Sequence, residues 1–285
     1  MYEAGLGGRP LIREYANIVP VRGERITGQR VVPIGAGPAV GAAQLTYRGG
    51  PLIAQVKVYA LYWGSAWTSA SLSPAQTQPP TRSALDAFMA HLVTSTYMNL
   101  FTEYNVARYT IAPGTFLGSS IIAPDPAAQV SDADIRAQIQ QRQASGDVPP
   151  WDANTLYAMF LPSGVTVQEG GSLSCDAFCG YHDAVIDTRS GQATAYYAVQ
   201  PFPDCAGCAA SADGSQISTF DAITAVLSHE VAEAITDPVP GTGWYDDQNG
   251  EIGDICAWQL APLDGYTVQQ EWSNAAGTCV APAQQ

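Results

Sequence analysis

The sequence predicts one α/β (α+β) domain with a mixed central sheet, one long late helix and an extended N-terminal arm. Strand-like and helix-like patterns interleave along the chain, which favours helices packed on a sheet. Of its 285 residues, 46% are hydrophobic and only 13% are charged, a composition that supports a large core. Residues 1–45 are rich in Gly, Pro and Arg with only short apolar stretches. We therefore divide the chain into an arm over 1–45 and a domain over 46–285.

Hydrophobic periodicity assigns the elements of the domain. Over residues 53–63, apolar and polar residues first alternate and the sequence then becomes continuously apolar, as in a core strand. Residues 83–104 carry apolar positions at helical spacing, and a capping-box pattern at Ser131 begins a second helix over 131–144. Further strands are predicted over 156–161, 181–187 and 193–199.

A third helix is predicted late in the chain. Ser218 and Asp221 form a capping start, apolar residues recur at helical spacing after them, and Pro238 ends the pattern. A loop rich in Gly, Asp and Trp follows over 241–254.

The composition excludes some classes of partner. The formal net charge is −14, so the surface repels nucleic-acid phosphates and anionic lipids. Because no apolar run reaches bilayer-spanning length, membrane insertion is not expected. The N-terminal residues lack the basic and apolar regions of a signal peptide, so an exported chain would have lost its signal or used another route.

Six cysteines, all in the second half of the chain, favour three disulfides in an oxidising compartment. The rival interpretation is a structural zinc site built from the two closely spaced pairs. Disulfides are preferred because they also give the last pair a partner, and the connectivity of the first four cysteines stays open. The cysteines are Cys175, Cys179, Cys205, Cys208, Cys256 and Cys279.

The long helix contains the pattern His-Glu-x-x-Glu. His229 and Glu233 are four residues apart, so both can reach one ion from the same helical face. Glu230 projects beside them and is placed to act as a general base on a metal-bound water, as in the zinc-peptidase signature His-Glu-x-x-His. Glutamate in place of the second histidine adds negative charge and tolerates harder ions such as calcium or manganese. The alternative is that the three residues bind no metal and lie on a helical face exposed to solvent.

A catalytic zinc site needs a third protein ligand. Asp254 and Glu251 follow the helix, and His182 precedes it. These residue types are all competent ligands, so spacing alone leaves the choice open.

Several motifs together resemble the phosphate-induced protein 1 (EXORDIUM-like) family and its bacterial relatives. The most specific block runs from Leu227 to Pro238 and continues through residues 243–245 and 250–256. Upstream matches lie at residues 179–182, 205–208 and 62–67, so the resemblance covers about residues 46–280. It implies a secreted or cell-wall-associated protein with a zincin-like core, in which the helix carrying the motif binds the metal. It implies no particular substrate.

The resemblance also bears on individual residues. Family members often carry Asn at the position of Asp237, which argues against Asp237 as an essential ligand. Glu251 and Asp254 both match the family element Glu-Ile-x-Asp-x-Cys, so the resemblance does not choose between them. Asp254 is favoured as the third ligand because it lies next to Cys256 in the loop, whose disulfide to Cys279 would fix that loop. Glu251 then lies behind the ligands or binds an additional calcium ion, in a loosely calcium-like run with Asp247 and Asn249.

Two functions follow as hypotheses. The first is a secreted zinc peptidase acting on peptides or proteins, with zinc on His229, Glu233 and Asp254, Glu230 as general base, and His182 or Tyr245 stabilising the oxyanion. The second is a non-enzymatic secreted or cell-wall protein in which the metal is structural and His182 completes a closed site. A third hypothesis is a fold that calcium stabilises and that binds no transition metal. The N-terminal arm is expected to act as a pro-segment or to contact a cell-wall or assembly partner.

Overall fold

A computed structural model describes residues 18–22, 24–27, 30–33, 43–68, 80–209 and 213–284. Within these ranges the chain forms three α-helices: α1 (Arg82–Leu92), α2 (Asp132–Ser145) and α3 (Thr219–Thr236). The strands are β1 (Ile18–Pro20), β2 (Glu24–Thr27), β3 (Arg30–Pro33), β4 (Thr46–Tyr47), β5 (Lys57–Trp63), β6 (Thr115–Ile122), β7 (Gln129–Ser131), β8 (Thr155–Phe160), β9 (Thr166–Glu169), β10 (Ser172–Leu173), β11 (Phe178–Ile186), β12 (Ala193–Gln200), β13 (Trp244–Tyr245), β14 (Leu260–Leu263), β15 (Tyr266–Gln269), β16 (Glu271–Ser273) and β17 (Thr278–Val280).

A mixed six-stranded sheet organises the domain, in the order β1-β11-β12-β8-β5-β6. Strands β12, β8, β5 and β6 are mutually parallel, whereas β11 runs antiparallel to both β12 and β1. The described residues therefore confirm the mixed α/β class.

The alternation of side chains along each strand divides the core into two layers. On one face, Ala158 of β8 and Ala198 of β12 pack with α1 and α3. On the other face, Tyr157 and Tyr197 pack with Ile135 of α2. Helix α3 therefore lies against β11 and β12 on a different side of the sheet from α2.

Most predicted elements form, with shifted bounds. The expected helix over 83–104 is interrupted: α1 ends at Leu92, and a 3-10 helix follows over Thr96–Tyr104. Ser95 explains the break, because its hydroxyl donates to the Leu92 carbonyl and accepts from the Tyr97 N–H, which starts a new helix. The capping box of α2 at Ser131 is confirmed.

The predicted N-terminal arm contributes directly to the sheet. Strand β1 pairs antiparallel with β11, while β2 and β3 form a hairpin. Residues 18–20 therefore belong to the domain rather than to a separate arm, because their backbone completes the open edge of β11. Much of the arm, residues 1–17 and 34–42, lies outside the described residues.

Three disulfides are present, joining Cys175 to Cys205, Cys179 to Cys208 and Cys256 to Cys279. The first two cross-link the start of β11 to the segment before α3, which settles the connectivity that the sequence left open. Such bonds indicate an oxidising, extracellular type of environment. Among the described helices, none combines the length and apolarity that a bilayer crossing requires.

Candidate metal centre

Helix α3 carries the candidate ligands through the interior of the domain. The Ser218 hydroxyl caps its first turn by accepting the Asp221 N–H, and every residue from Ala222 to Thr236 is buried. The helix approaches β11 closely at Gly180, where a Cβ would lie 2.5 Å from Val226 and 2.9 Å from the Glu230 carboxylate. A glycine is therefore needed at this point of contact. The solvated-face alternative for the His-Glu-x-x-Glu pattern is wrong.

The first group of candidate ligands is His229, Glu233 and Asp254. Nε2 of His229 lies 2.9 Å from Oε1 of Glu233 and 3.9 Å from Oδ1 of Asp254. One ligand atom from each residue lies within 4.8 Å of the other two. Donors bound to one zinc ion at about 2.0–2.2 Å stand roughly 3–4 Å apart, so this spacing suits a common cation. The structure thus brings together the three residues that the sequence proposed as ligands.

A second group lies beside the first and shares Glu233 with it. His182 on β11 places Nδ1 at 3.3 Å from both Glu230 Oε2 and Glu233 Oε2. Its Nε2 is 3.1 Å from the Asp237 carbonyl oxygen and 3.6 Å from Glu251 Oε1. His182, Glu233 and Glu251 again offer ligand atoms within 4.8 Å of one another. His182 is therefore part of the cluster.

Several polar atoms of this cluster are deeply buried and have no hydrogen-bond partner among the described residues. All belong to candidate ligands or to Glu230 and Glu271. Leaving such groups unpaired in the interior costs on the order of 1–3 kcal/mol each, and more when they are charged. The donor set therefore fits a bound cation on count, chemistry and burial. The atoms are His229 Nε2, Glu230 Oε1, Glu233 Oε2, Glu251 Oε1 and Oε2, Asp254 Oδ1 and Glu271 Oε2.

The electrostatic balance differs between the two glutamates of the motif. Burial raises the pKa of Glu230 to about 7, although His182 and His229 act in the opposite direction. Burial also disfavours the charged form of Glu233, but His229 and His182 outweigh it and lower that pKa to about 2. Glu233 is thus the anion in contact with both imidazoles, while Glu230 is poised to gain or lose a proton near neutral pH.

The loop acids respond to the same environment. Burial, together with the charge of Glu233, raises the pKa values of Glu251 and Asp254 well above their usual range. Burial opposes a charge on His182, yet Glu230 and Glu233 raise its pKa to about 10. Burial therefore disfavours the charged forms of these acids, because unpaired buried charges are costly.

Gln269 on β15 contacts the back of the His229 ring. Its oxygen accepts the Trp258 N–H, and its nitrogen donates to the Gly253 carbonyl and lies 2.8 Å from His229 Nδ1. A metal-bound histidine usually donates its second N–H to an acceptor. Metal binding through Nε2 would place the proton on Nδ1, so the Gln269 amide would have to turn over and give up its hydrogen bonds to Gly253 and Trp258.

The remaining predicted residues occupy different positions. The Asp237 carboxylate accepts the N–H groups of Gly241, Thr242 and Gly243, so it closes the turn after α3. Tyr245 is buried, and burial with the charges of nearby acids raises its pKa.

The calcium-like run does not assemble as one loop. The side chain of Asp247 is 87% exposed and pairs with Arg48, whereas Glu251 is fully buried in the metal cluster. The two residues therefore cannot act together as neighbouring ligands of a calcium loop.

Sequence reasoning missed Gln269 and Glu271. Both are buried, and Glu271 accepts a hydrogen bond of 2.7 Å from the Tyr97 hydroxyl. Gln269 ends β15 and Glu271 begins β16, and these two short strands carry no motif that links them to α3. Polar residues at core positions of a strand were the only available signal.

Comparisons with known proteins give no match. No family model matches the chain, no curated protein matches its sequence, and no solved structure matches its fold.

Proposed function

We propose that the protein is a secreted zinc-dependent hydrolase that cleaves peptide bonds on a zincin-like scaffold. His229, Glu233 and Asp254 would hold the ion. When bound, zinc would acidify a water molecule and polarise the carbonyl group under attack. The three disulfides and the resemblance to the EXORDIUM-like family support secretion, with peptides or proteins as substrates.

The position of Glu230 is the observation that carries this proposal. It follows a candidate ligand in sequence and adjoins the cluster, yet it belongs to neither group of three. Within the part of the chain that the structure describes, its Oε1 has no hydrogen-bond partner, and burial raises its pKa to about 7. A general base works best when its pKa lies near the operating pH.

The chain's own residues support a simple proton path. Glu230 accepts a proton as the water oxygen attacks the carbonyl carbon, and returns it to the nitrogen as the C–N bond breaks. His182, 3.3 Å from Glu230 Oε2, orients this carboxylate. Because His182 faces Glu230 and Glu233, it acts as a positioning residue in this scheme rather than as an oxyanion donor.

The test uses the variant Glu230→Gln. Its activity is assayed on a peptide library, and its zinc content is measured in parallel. We expect the variant to keep its zinc and to lose activity by about 10²-fold or more, as for removal of a general base. Glu271→Gln is the matched control, since it changes another buried glutamate that lies in neither ligand group. Full activity in Glu230→Gln would refute the assignment.

Complete burial favours a second candidate, a secreted or cell-wall protein with a structural metal. His182, His229, Glu233 and Glu251 have no exposed surface, and a structural site is closed to solvent. This function predicts zinc binding and metal-dependent folding with no peptide cleavage by the wild type. In that case the N-terminal arm would be the natural contact for a cell-wall or assembly partner.

A further inference from the structure

We propose that the centre holds two divalent cations, the second on His182, Glu233 and Glu251, with the Glu233 carboxylate bridging them. This proposal takes from the proposed function only the first ion, which His229, Glu233 and Asp254 would hold. It would make the cluster a dinuclear centre rather than a single zinc site.

The bridging role follows from the direction of the Glu233 oxygens. Oε1 lies 2.9 Å from His229 Nε2, while Oε2 lies 3.3 Å from His182 Nδ1. The two oxygens of one carboxylate therefore face two different imidazoles on two different elements, α3 and β11. Carboxylates that face two donor sets in this way bridge metal pairs, whose ions stand about 3.5–4 Å apart.

Glu251 supplies an independent observation. It is fully buried, and among the described residues neither of its carboxylate oxygens accepts a hydrogen bond from an N–H group or a hydroxyl; it lies against the Asp237 carboxyl group, which is itself an acid. Its Oε1 lies 3.6 Å from His182 Nε2. The ion on His229 does not account for this side chain, because Glu251 is not in that group of three.

Charge balance favours a second cation. Four buried carboxylates face the two histidines: Glu230, Glu233, Glu251 and Asp254. One dication balances only two of them, and an isolated buried charge is expensive. Asp237 and Glu271 are compensated by the chain to a greater extent, since the first accepts three backbone N–H groups and one oxygen of the second accepts a tyrosine hydroxyl.

The ligand chemistry points to Mn²⁺ or Zn²⁺ at the second site. One imidazole and two carboxylates suit these ions. Calcium prefers six to eight oxygen ligands, more than this group offers. The additional calcium ion expected from the sequence is therefore replaced by a transition-metal ion that shares Glu233.

The experiment counts bound metal on the full chain after loading with Zn²⁺ or Mn²⁺ and removal of free ions, by native mass spectrometry and elemental analysis. We expect two ions per wild-type chain, one in Glu251→Gln, and two in the control Glu271→Gln. One ion in the wild type would overturn the second site and leave the proposed function standing. No ion would overturn both, and two ions in Glu251→Gln would place the second ion elsewhere.

Electron paramagnetic resonance of the Mn²⁺-loaded wild type provides a measurement that needs no variant. Two ions joined by the Glu233 carboxylate are magnetically coupled, so we expect the multiline spectrum of a coupled pair. The spectrum of isolated ions at full loading would overturn the bridge. Because the spectrum is recorded on the wild type, it tests the bridged pair even if Glu251→Gln does not fold.

Discussion

Two buried acidic clusters lie back to back across strand β11, and they differ in how their charges are compensated. Tyr181 and His182 are neighbours on this strand, so their side chains point to opposite faces of the sheet. On one side, Asp132 accepts hydrogen bonds from Tyr181 and Tyr197 at 3.0 and 2.6 Å, and pairs with Arg136 at 2.8 Å. On the other side, His182 meets Glu230 and Glu233, each of which has one carboxylate oxygen without a hydrogen-bond partner among the described residues.

The difference separates a buried charge that the chain itself compensates from buried charges that it leaves uncompensated. The Asp132 cluster satisfies its carboxylate with the protein's own donors, as buried polar groups normally are. The metal-side cluster collects acids that repel one another and lacks the donors to satisfy them. Such a cluster lowers stability unless something from outside the chain completes it, which is the physical basis for assigning it a cation.

Removal of metal should have the largest effect. A cation that binds only the folded state at about 1,000 times its dissociation constant stabilises it by about 4 kcal/mol. We therefore expect a strong chelator to lower the melting temperature by on the order of 10 °C in calorimetry. If chelation lowers the melting temperature of Asp132→Ala by the same amount, the effect originates in the cluster around His182 and not in the cluster around Asp132. If chelation does not change the melting temperature of the wild type, the proposed distinction between the two clusters fails.

Truncation of Asp132, the acid that the chain itself compensates, should have the second-largest effect on stability. Asp132→Ala leaves two buried tyrosine hydroxyls and Arg136 without their acceptor, at an expected cost of about 2–3 kcal/mol in urea unfolding. Asp176→Ala, at an exposed aspartate, serves as the control and should change stability by less than about 0.5 kcal/mol. Equal effects in the two variants would contradict the structural role of Asp132.

The metal-side acid should respond with the opposite sign when metal is absent. In the chelated protein, Glu251→Gln removes a buried acid that neighbouring carboxylates repel, so we expect a gain of about 1 kcal/mol at pH 8. In the metal-loaded protein the same variant should be less stable than the wild type. Unfolding curves with and without chelator measure both; destabilisation in both states would mean that Glu251 is compensated by the chain itself.

A pH-dependent effect concerns Glu169, beside Asp132 at a cavity of about 380 Å³. Burial, with the charges of Asp132 and Asp183, raises its pKa from 4.5 to about 8. Between these values the unfolded chain has released the proton that the folded chain retains, so the contribution of Glu169 is full below pH 4.5 and is lost as pH rises towards 8.

The change is below about 1.4 kcal/mol per pH unit, and screening by solvent reduces it further. Glu169→Gln should therefore flatten the decline of stability with pH, seen as a difference in unfolding free energy between variant and wild type from pH 5 to pH 9. A constant difference across that range would show that Glu169 titrates normally.

The sequence by itself determined the elements and one half of the site. Periodicity and capping residues located α2 and α3 and most core strands, since these signals are local and repeat within a few residues. The i, i+4 spacing placed His229 and Glu233 on one helical face, and the even cysteine count favoured disulfides. The break at Ser95 escaped periodicity, because a single side-chain contact with the preceding turn decides it.

Only the tertiary structure decided what completes the site. His182 lies 47 positions before His229 and Glu251 lies 22 after it, and spacing carries no information about which long-range groups converge. Sheet topology brings β11 against α3, and the Cys256–Cys279 disulfide and Gln269 fix the loop behind His229. The uncompensated charge of the cluster is a property of that convergence, because desolvation and repulsion depend on distances that no single segment of the chain determines.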